Sequence, residues 1–243
     1  MDNATAMIRE GGRRRVDTFG RAFAGSQRHI QTYVNLRPLE LASEVLEALS
    51  PTPPPRSRIR WVSPLAMKRF VEYRDDKFLC VLGLGQYSSD LREFWPEGGP
   101  SWDALAVIET GSRPGCVVVE AKSHISELES QCEAKNPGSR EKITRALDET
   151  KAWLGVARSL DWTKPYYQSA NRLAFLYFLR SRQIQAWLVN VYFLSDPHFK
   201  DPPPPRSPAE WEPAIDDMKQ ALGLSGRDVP YTGKLFLEAA EGY

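Results

Sequence analysis

The sequence is poor in cysteine and histidine, has no long apolar run and carries no excess of charge of one sign. Cys80, Cys116 and Cys132 are the only cysteines in 243 residues and none forms a C-x-x-C pair. That spacing excludes a disulfide framework and a thiolate zinc site, and predicts reduced thiols, at least two of them packed. The longest uninterrupted apolar stretch runs from Leu173 to Leu179, far short of the roughly 20 residues a membrane-spanning helix needs. No membrane partner is expected. Near the N-terminus, Asp2, Arg9, Glu10 and Arg13 to Arg15 are not followed by an apolar run, unlike a secretory signal, so a cytoplasmic location is expected. Lys and Arg number 32 against 31 Asp and Glu, a formal net charge of +1. This excludes a polycation that coats nucleic acid by bulk charge, and any nucleic-acid site must be local.

What remains is a chain of ordinary globular composition, 42% hydrophobic and 26% charged, which excludes collagen-like, disordered and coiled-coil readings. Its length suits one α/β core. Charge is uneven along it: residues 1–60 hold ten Arg, no Lys and six acids, a local balance of +4 that leaves −3 for the rest. An all-Arg segment suits pairing with phosphate or carboxylate, although solvated charges on a partly ordered arm are the plainer reading. Within this arm His29 to Val34 is expected as a short strand and Pro38 to Leu49 as an amphipathic helix. Pro51, Pro53, Pro54 and Pro55 then form an extended linker. The division predicted is an Arg-rich arm and helix over 1–57 and an α/β domain over 58–243.

Past the linker, Ser63-Pro64 has the form of an N-cap and first-position proline, predicting a helix toward Gly83 with Glu72 inside it. Gly98, Gly99 and Pro100 make a turn into Trp102 to Glu109. That segment and Cys116 to Lys122 have strand composition, most simply a hairpin. No convincing strand is found between Gly85 and Pro100. Ser139 is expected to cap a helix bearing Ile143, Leu147, Thr150, Leu154 and Ala157. A further helix is expected from Tyr166 to Arg182. Ile184 to Leu194 reads as a strand covered on both faces. Ser207-Pro208-Ala209-Glu210 opens a last helix, and Lys234 to Glu238 reads as an edge strand.

The chemistry concentrates at strand ends. Residues two apart share a strand face, so Val118, Glu120, Lys122 and His124 point one way and Val117, Val119 and Ala121 the other. Glu120 and Lys122 therefore emerge together from an apolar strand, where burial is costly unless they bind each other, a metal or a substrate. Asp103 opens the neighbouring strand and can add a second carboxylate. Two carboxylates and the Ala121 carbonyl are hard oxygen ligands of the kind that hold Mg²⁺. Such an ion polarises a phosphate and lowers the pKa of its bound water. Lys122 would orient that water or stabilise charge.

Asp103 followed by Glu120-Ala121-Lys122 at the end of an apolar strand resembles the PD-(D/E)XK nuclease superfamily over roughly residues 63–195. The proline of Pro100-Ser101-Trp102-Asp103 stands displaced from its usual place beside the acid. The resemblance implies a restriction-endonuclease-like mixed sheet flanked by helices, with core order helix, three strands, helix, strand. It further implies a Mg²⁺- or Mn²⁺-dependent nuclease acting on DNA or RNA, with an auxiliary acid from the first helix, for which Glu72 is the choice. Ser63-Pro64-Leu65-Ala66, Phe94-Trp95-Pro96, Trp102-Asp103-Ala104, Val119 to His124 and Tyr167 to Leu173 resemble a narrower, uncharacterised bacterial family, which implies no substrate.

Acid-x-lysine alone is cheap, for Asp75/Lys77, Glu133/Lys135, Glu149/Lys151 and Asp217/Lys219 also match. Only Glu120/Lys122 follows a valine run and lies 17 residues after a strand-opening acid; the plainer reading is a surface ion pair. Gln168 is a candidate positioning group, and with Asn171, Arg172 and Phe175 it lies on about one turn of helix. His124 is read as a phosphate contact or a plain turn residue. Trp95 and Trp102 are read as base-stacking or, more simply, core aromatics. Two other functions stay open: a catalytically inactive nuclease-fold binding or assembly module, which near-neutral charge favours, and hydrolysis of a small phosphate compound. A second copy of the chain stays open as a partner.

Overall fold

The valine run at 117–119 lies in the central strand of a five-stranded mixed sheet, in a computed structural model that describes residues 16–110 and 114–240. The early acids and arginines up to Arg15 lie outside the described residues, as does the middle of the Thr110 to Gly115 loop. The strands are β1 (Arg58–Ser63), β2 (Ala104–Glu109), β3 (Gly115–Lys122), β4 (Ala186–Leu194) and β5 (Thr232–Glu238), in spatial order one to five. β1, β2 and β3 pair antiparallel, whereas β4 and β5 run parallel to β3. Seven α-helices flank the sheet among the described residues: α1 (Gly25–Leu36), α2 (Pro38–Ala48), α3 (Asp75–Val81), α4 (Ser88–Phe94), α5 (Pro137–Leu154), α6 (Tyr167–Ser181) and α7 (Pro208–Ala221). α5 and α6 make the crossover that a parallel β3–β4 pair requires.

Period two divides the sheet into two faces. Trp61, Ala104, Ala106, Ile108, Val117, Val119, Val189 and Val191 pack with Ile30, Tyr33 and Val34 of α1 and Leu41 and Val45 of α2. Leu105, Val107, Cys116, Val118 and Leu188 pack on the other side with the aromatic-rich α6 and with α3, α4, α5 and α7. Every residue of β3 is consequently buried. Glu120 and Lys122 have the parity of Val118 and face α6; they are enclosed, not displayed on a surface.

The hairpin, α2, α5, α6, β4, α7 and β5 fall where the sequence predicts them. Others differ. His29 to Val34 is helical, within α1, and all six of these residues are buried. Such complete burial erases the helical period that a half-exposed helix would show. Ser63 does not cap a helix but ends β1, where its hydroxyl donates to the Val71 carbonyl at 2.8 Å. A single 3-10 turn, Ala66–Lys68, follows, and the helix starts only at Asp75, so Glu72 precedes it. The stretch between Gly85 and Phe94 is helical, and the strand that pairs with β2 is β1, which lies before α3. Asn136, not Ser139, caps α5: its Oδ1 accepts the Ser139 N–H at 3.1 Å. Cys116 is buried, Cys132 is partly buried and Cys80 is exposed, all three as free thiols. None of the described helices is long and apolar enough to cross a membrane.

Candidate active site

β2 stops pairing before β3 ends. The last partners are Ala104 and Val119, so β3 runs on with its β2-side edge open. Asp103, just before β2, takes the place of a strand partner: its Oδ2 accepts the Ala121 N–H at 2.7 Å. An extended residue directs its N–H and C=O to the same edge, so the Ala121 carbonyl lies on the Asp103 side. Hydrogen-bond replacement thus brings the predicted second carboxylate to the strand end.

On the α6 face, Glu120 lies between two cations. Lys122 Nζ is 2.5 Å from its Oε1 and Arg172 Nε is 2.5 Å from its Oε2. Exposures of 6% for Glu120, 9% for Lys122 and 6% for Arg172 dispose of the surface ion-pair reading. Lys122 Nζ also donates to Gln168 Oε1 at 2.9 Å. Gln168 and Arg172 are one helical turn apart, which is why one helix serves both. Arg172 donates further to the Ser101 carbonyl at 3.0 Å and to Asn171 Oδ1 at 2.9 Å, and its guanidinium lies over the Trp102 ring at 5.0 Å.

Glu72 arrives from the segment before α3. Its Oε1 accepts from Gln27 Nε2 at 2.8 Å and its Oε2 from the Ser101 hydroxyl at 3.4 Å. Gln27 belongs to α1, so both layers of helices contribute to the site. Sequence reasoning missed Gln27 and Ser101, and neither carries a local signal, because each acts through a residue 45 and 29 positions away respectively.

These groups line a cavity of about 920 Å³. It is bordered by five acids, Glu72, Glu97, Asp103, Glu120 and Glu133, and three cations, Lys122, Lys135 and Arg172. Gly98 and Gly99 form part of its wall and are held by Asp75, whose carboxylate accepts both backbone N–H groups, at 3.3 and 2.8 Å. Among the acid-x-lysine pairs, Glu133/Lys135 reaches the wall too, but both its residues are exposed.

Burial first, and then the excess of carboxylates, set the electrostatics. Burial, followed by the charges of Glu120 and Glu72, holds the Asp103 carboxyl well above the usual carboxylate range. Burial also raises Glu72, against the hydrogen bonds from Gln27 and Ser101. For Glu120 burial pushes up, but Arg172 and Lys122 together outweigh it and hold the group below its ordinary value. Burial would lower Lys122, yet Glu120 and Asp103 prevail and its pKa is raised. Glu120 is the settled anion; Asp103 and Glu72 are the carboxylates under electrostatic pressure.

His124 and Trp102 fall outside the cavity. His124 is buried, with Nδ1 2.8 Å from Ser126 Oγ and Nε2 3.3 Å from the Pro202 carbonyl, and does not border the cavity. Trp102 is fully buried and Trp95 nearly so. Both pack edge-on against Phe175; Trp102 lies in the core under the Arg172 guanidinium, whereas Trp95 borders the cavity. Compared with protein-family models, curated proteins and solved structures, the chain matches none.

Proposed function

We propose that this chain is a Mg²⁺- or Mn²⁺-dependent nuclease of restriction-endonuclease-like architecture that hydrolyses phosphodiester bonds in DNA or RNA. One observation carries the reading: Asp103, Glu120 and Lys122 converge at the open end of β3 on a single polar cavity. The element order supports it in part: α1 and α2, β1, β2, β3, α5 with α6, and β4 come in the sequence that the PD-(D/E)XK resemblance implies, but α3 and α4 are inserted between β1 and β2.

The donors suit a hard cation. Asp103, Glu120 and the Ala121 carbonyl would hold it, with Glu72 as auxiliary acid, and all are oxygen ligands. A wall with more acids than bases repels a polyanion, so a divalent cation is what would make this cavity receptive to phosphate. When bound, the cation would polarise the phosphate and activate a water molecule. Lys122, fixed between Glu120 and Gln168, would orient the attacking water or stabilise charge on the phosphorane. Gln168 positions Lys122. Arg172 anchors Glu120 and, by bonding the Ser101 carbonyl, ties the Asp103 segment to α6.

A second reading, a nuclease-fold module that binds without turnover, has one observation in its favour. Both Glu120 oxygens are already engaged by Arg172 and Lys122, so a cation must compete for them. Incubation of the purified chain with single- and double-stranded DNA and RNA in Mg²⁺ or Mn²⁺ separates the two. A nuclease cleaves at least one of these substrates and loses activity in Asp103→Asn and Lys122→Ala. Wild type indistinguishable from both variants on every substrate would sink the nuclease reading.

A further inference from the structure

Just past the C-terminal end of β4 lies a second group of side chains that the proposed activity does not use. His29 of α1 and Asp196 are 1% and 0% exposed, and His198, two residues beyond Asp196, is partly exposed. His29 Nε2 lies 2.9 Å from Asp196 Oδ2, and His198 Nδ1 lies 2.9 Å from Asp196 Oδ1. One potential ligand atom from each residue falls within 4.8 Å of the others, the only such trio of His, Cys, Asp or Glu among the described residues.

Protonation makes the arrangement informative. His29 Nδ1 is 3.2 Å from the Ala240 carbonyl, which can only accept, so this nitrogen carries the hydrogen. A neutral ring then leaves Nε2 with a lone pair, 2.9 Å from a carboxylate oxygen that lies off its axis. Neither Nε2 nor Asp196 Oδ2 has a hydrogen-bond partner of acceptable geometry among the described residues, and both are buried. Two buried electron-rich atoms this close repel each other unless a positive charge lies between or beside them. Ligands sharing one tetrahedral ion, with bonds of about 2.0–2.2 Å, stand about 3.4 Å apart, so a small outward shift from the 2.9 Å separation here admits the ion. The backbone carbonyl on Nδ1 is the outer contact that fixes a ligating histidine's tautomer. Asp196 is pre-oriented as well, since its Oδ1 accepts the His198 N–H at 2.9 Å.

We infer that His29, Asp196 and His198 form a binding site for a transition-metal ion of the zinc class. Two imidazoles and a carboxylate suit Zn²⁺ and its first-row neighbours rather than Mg²⁺. Partial exposure of His198 gives the ion an entry route and leaves room for water as a fourth ligand. The ion would clamp α1 and the Ala240 segment to the end of β4, a cross-link in a region that has no disulfide. The competing explanation is a protonated His29 in a plain ion pair with Asp196.

The test is titration of the full chain, stripped by a chelator, with Co²⁺ and then Zn²⁺. One equivalent of Co²⁺ should bind with the intense visible absorption of a four-coordinate site. Zn²⁺ should displace it and raise the thermal midpoint. His198→Ala, altered at the exposed ligand so that the core is undisturbed, should weaken binding at least about 100-fold. Asp103→Asn should keep this intense absorption, since Co²⁺ held by oxygen ligands in the carboxylate cavity absorbs only weakly, which separates the two sites. Absence of saturable Co²⁺ or Zn²⁺ binding by wild type, or equal binding by His198→Ala, would overturn the inference.

Discussion

Arg172 Nε lies 2.5 Å from Glu120 Oε2 across 52 residues of sequence, with both side chains almost wholly buried. This contact joins α6 to the end of β3 and keeps a carboxylate ionised where burial alone would neutralise it. It also draws the Ser101 carbonyl, and with it the approach to Asp103, toward the same helix. Replacing Arg172 by Met leaves Glu120 with Lys122 alone. A loss of about 3 kcal/mol is expected, as for other broken buried ion pairs. Urea unfolding measures it; a change below about 1 kcal/mol would show that the pair is dispensable.

Asp103 should weaken the fold when ionised. Its carboxyl titrates higher in the folded chain than in the unfolded one, because of burial and then of Glu120 and Glu72. Where the unfolded chain has lost this proton and the folded chain still holds it, stability falls as pH rises. The window opens near pH 4, the ordinary aspartate value, and closes at the raised folded value. Asp103→Asn mimics the protonated form. Its thermal midpoint should match wild type at the acid end of the window and exceed it at neutral pH. A variant less stable than wild type at neutral pH would mean that the Ala121 contact outweighs the repulsion.

Gly99 is held to no side chain by necessity. A Cβ there would stand 2.9 Å from Phe175 Cζ and 3.1 Å from Asp75 Oδ1, so the cavity wall and the core aromatic cannot both keep their places. Gly99→Ala is expected to cost about 1–3 kcal/mol, as overpacking does. Unchanged chemical denaturation would show that the wall gives way freely.

The sheet and the site were not equally readable. β2, β3 and β4 announce themselves because valine and isoleucine runs between turn residues have few alternative folds. Period two then predicts correctly that Glu120 and Lys122 share a face, and a spacing of four brings Gln168 and Arg172 to it. α1 was illegible because helix and sheet bury six consecutive residues on all sides. β1 was hidden by Ser63-Pro64, a local helix-start signal that tertiary pairing overrides. Glu72 could be nominated but not placed, since its position depends on Gln27 and Ser101 from distant segments. The His29 and Asp196 pair carried no signal at all, its members standing 167 positions apart.

Gln168 reaches the proposed chemistry only through Lys122. Truncating it should leave the fold intact, since its side chain is partly exposed. The ammonium would lose one of its two fixed acceptors. Nucleic-acid cleavage by Gln168→Ala should fall about 10- to 100-fold, the usual cost of a slightly misplaced catalytic group, with an unchanged thermal midpoint. Full activity would remove Gln168 from the positioning of Lys122.

Everything proposed for the cavity depends on the strand-end carboxylates holding a divalent ion. Anomalous scattering from a crystal soaked in Mn²⁺ locates such an ion directly. The expected result is a peak within bonding distance of Asp103 and Glu120, beside the Ala121 carbonyl, with the Glu120 carboxylate drawn away from Arg172. A well-ordered crystal in saturating Mn²⁺ with no peak at these residues, and with Glu120 still bound to Arg172 and Lys122, would contradict it.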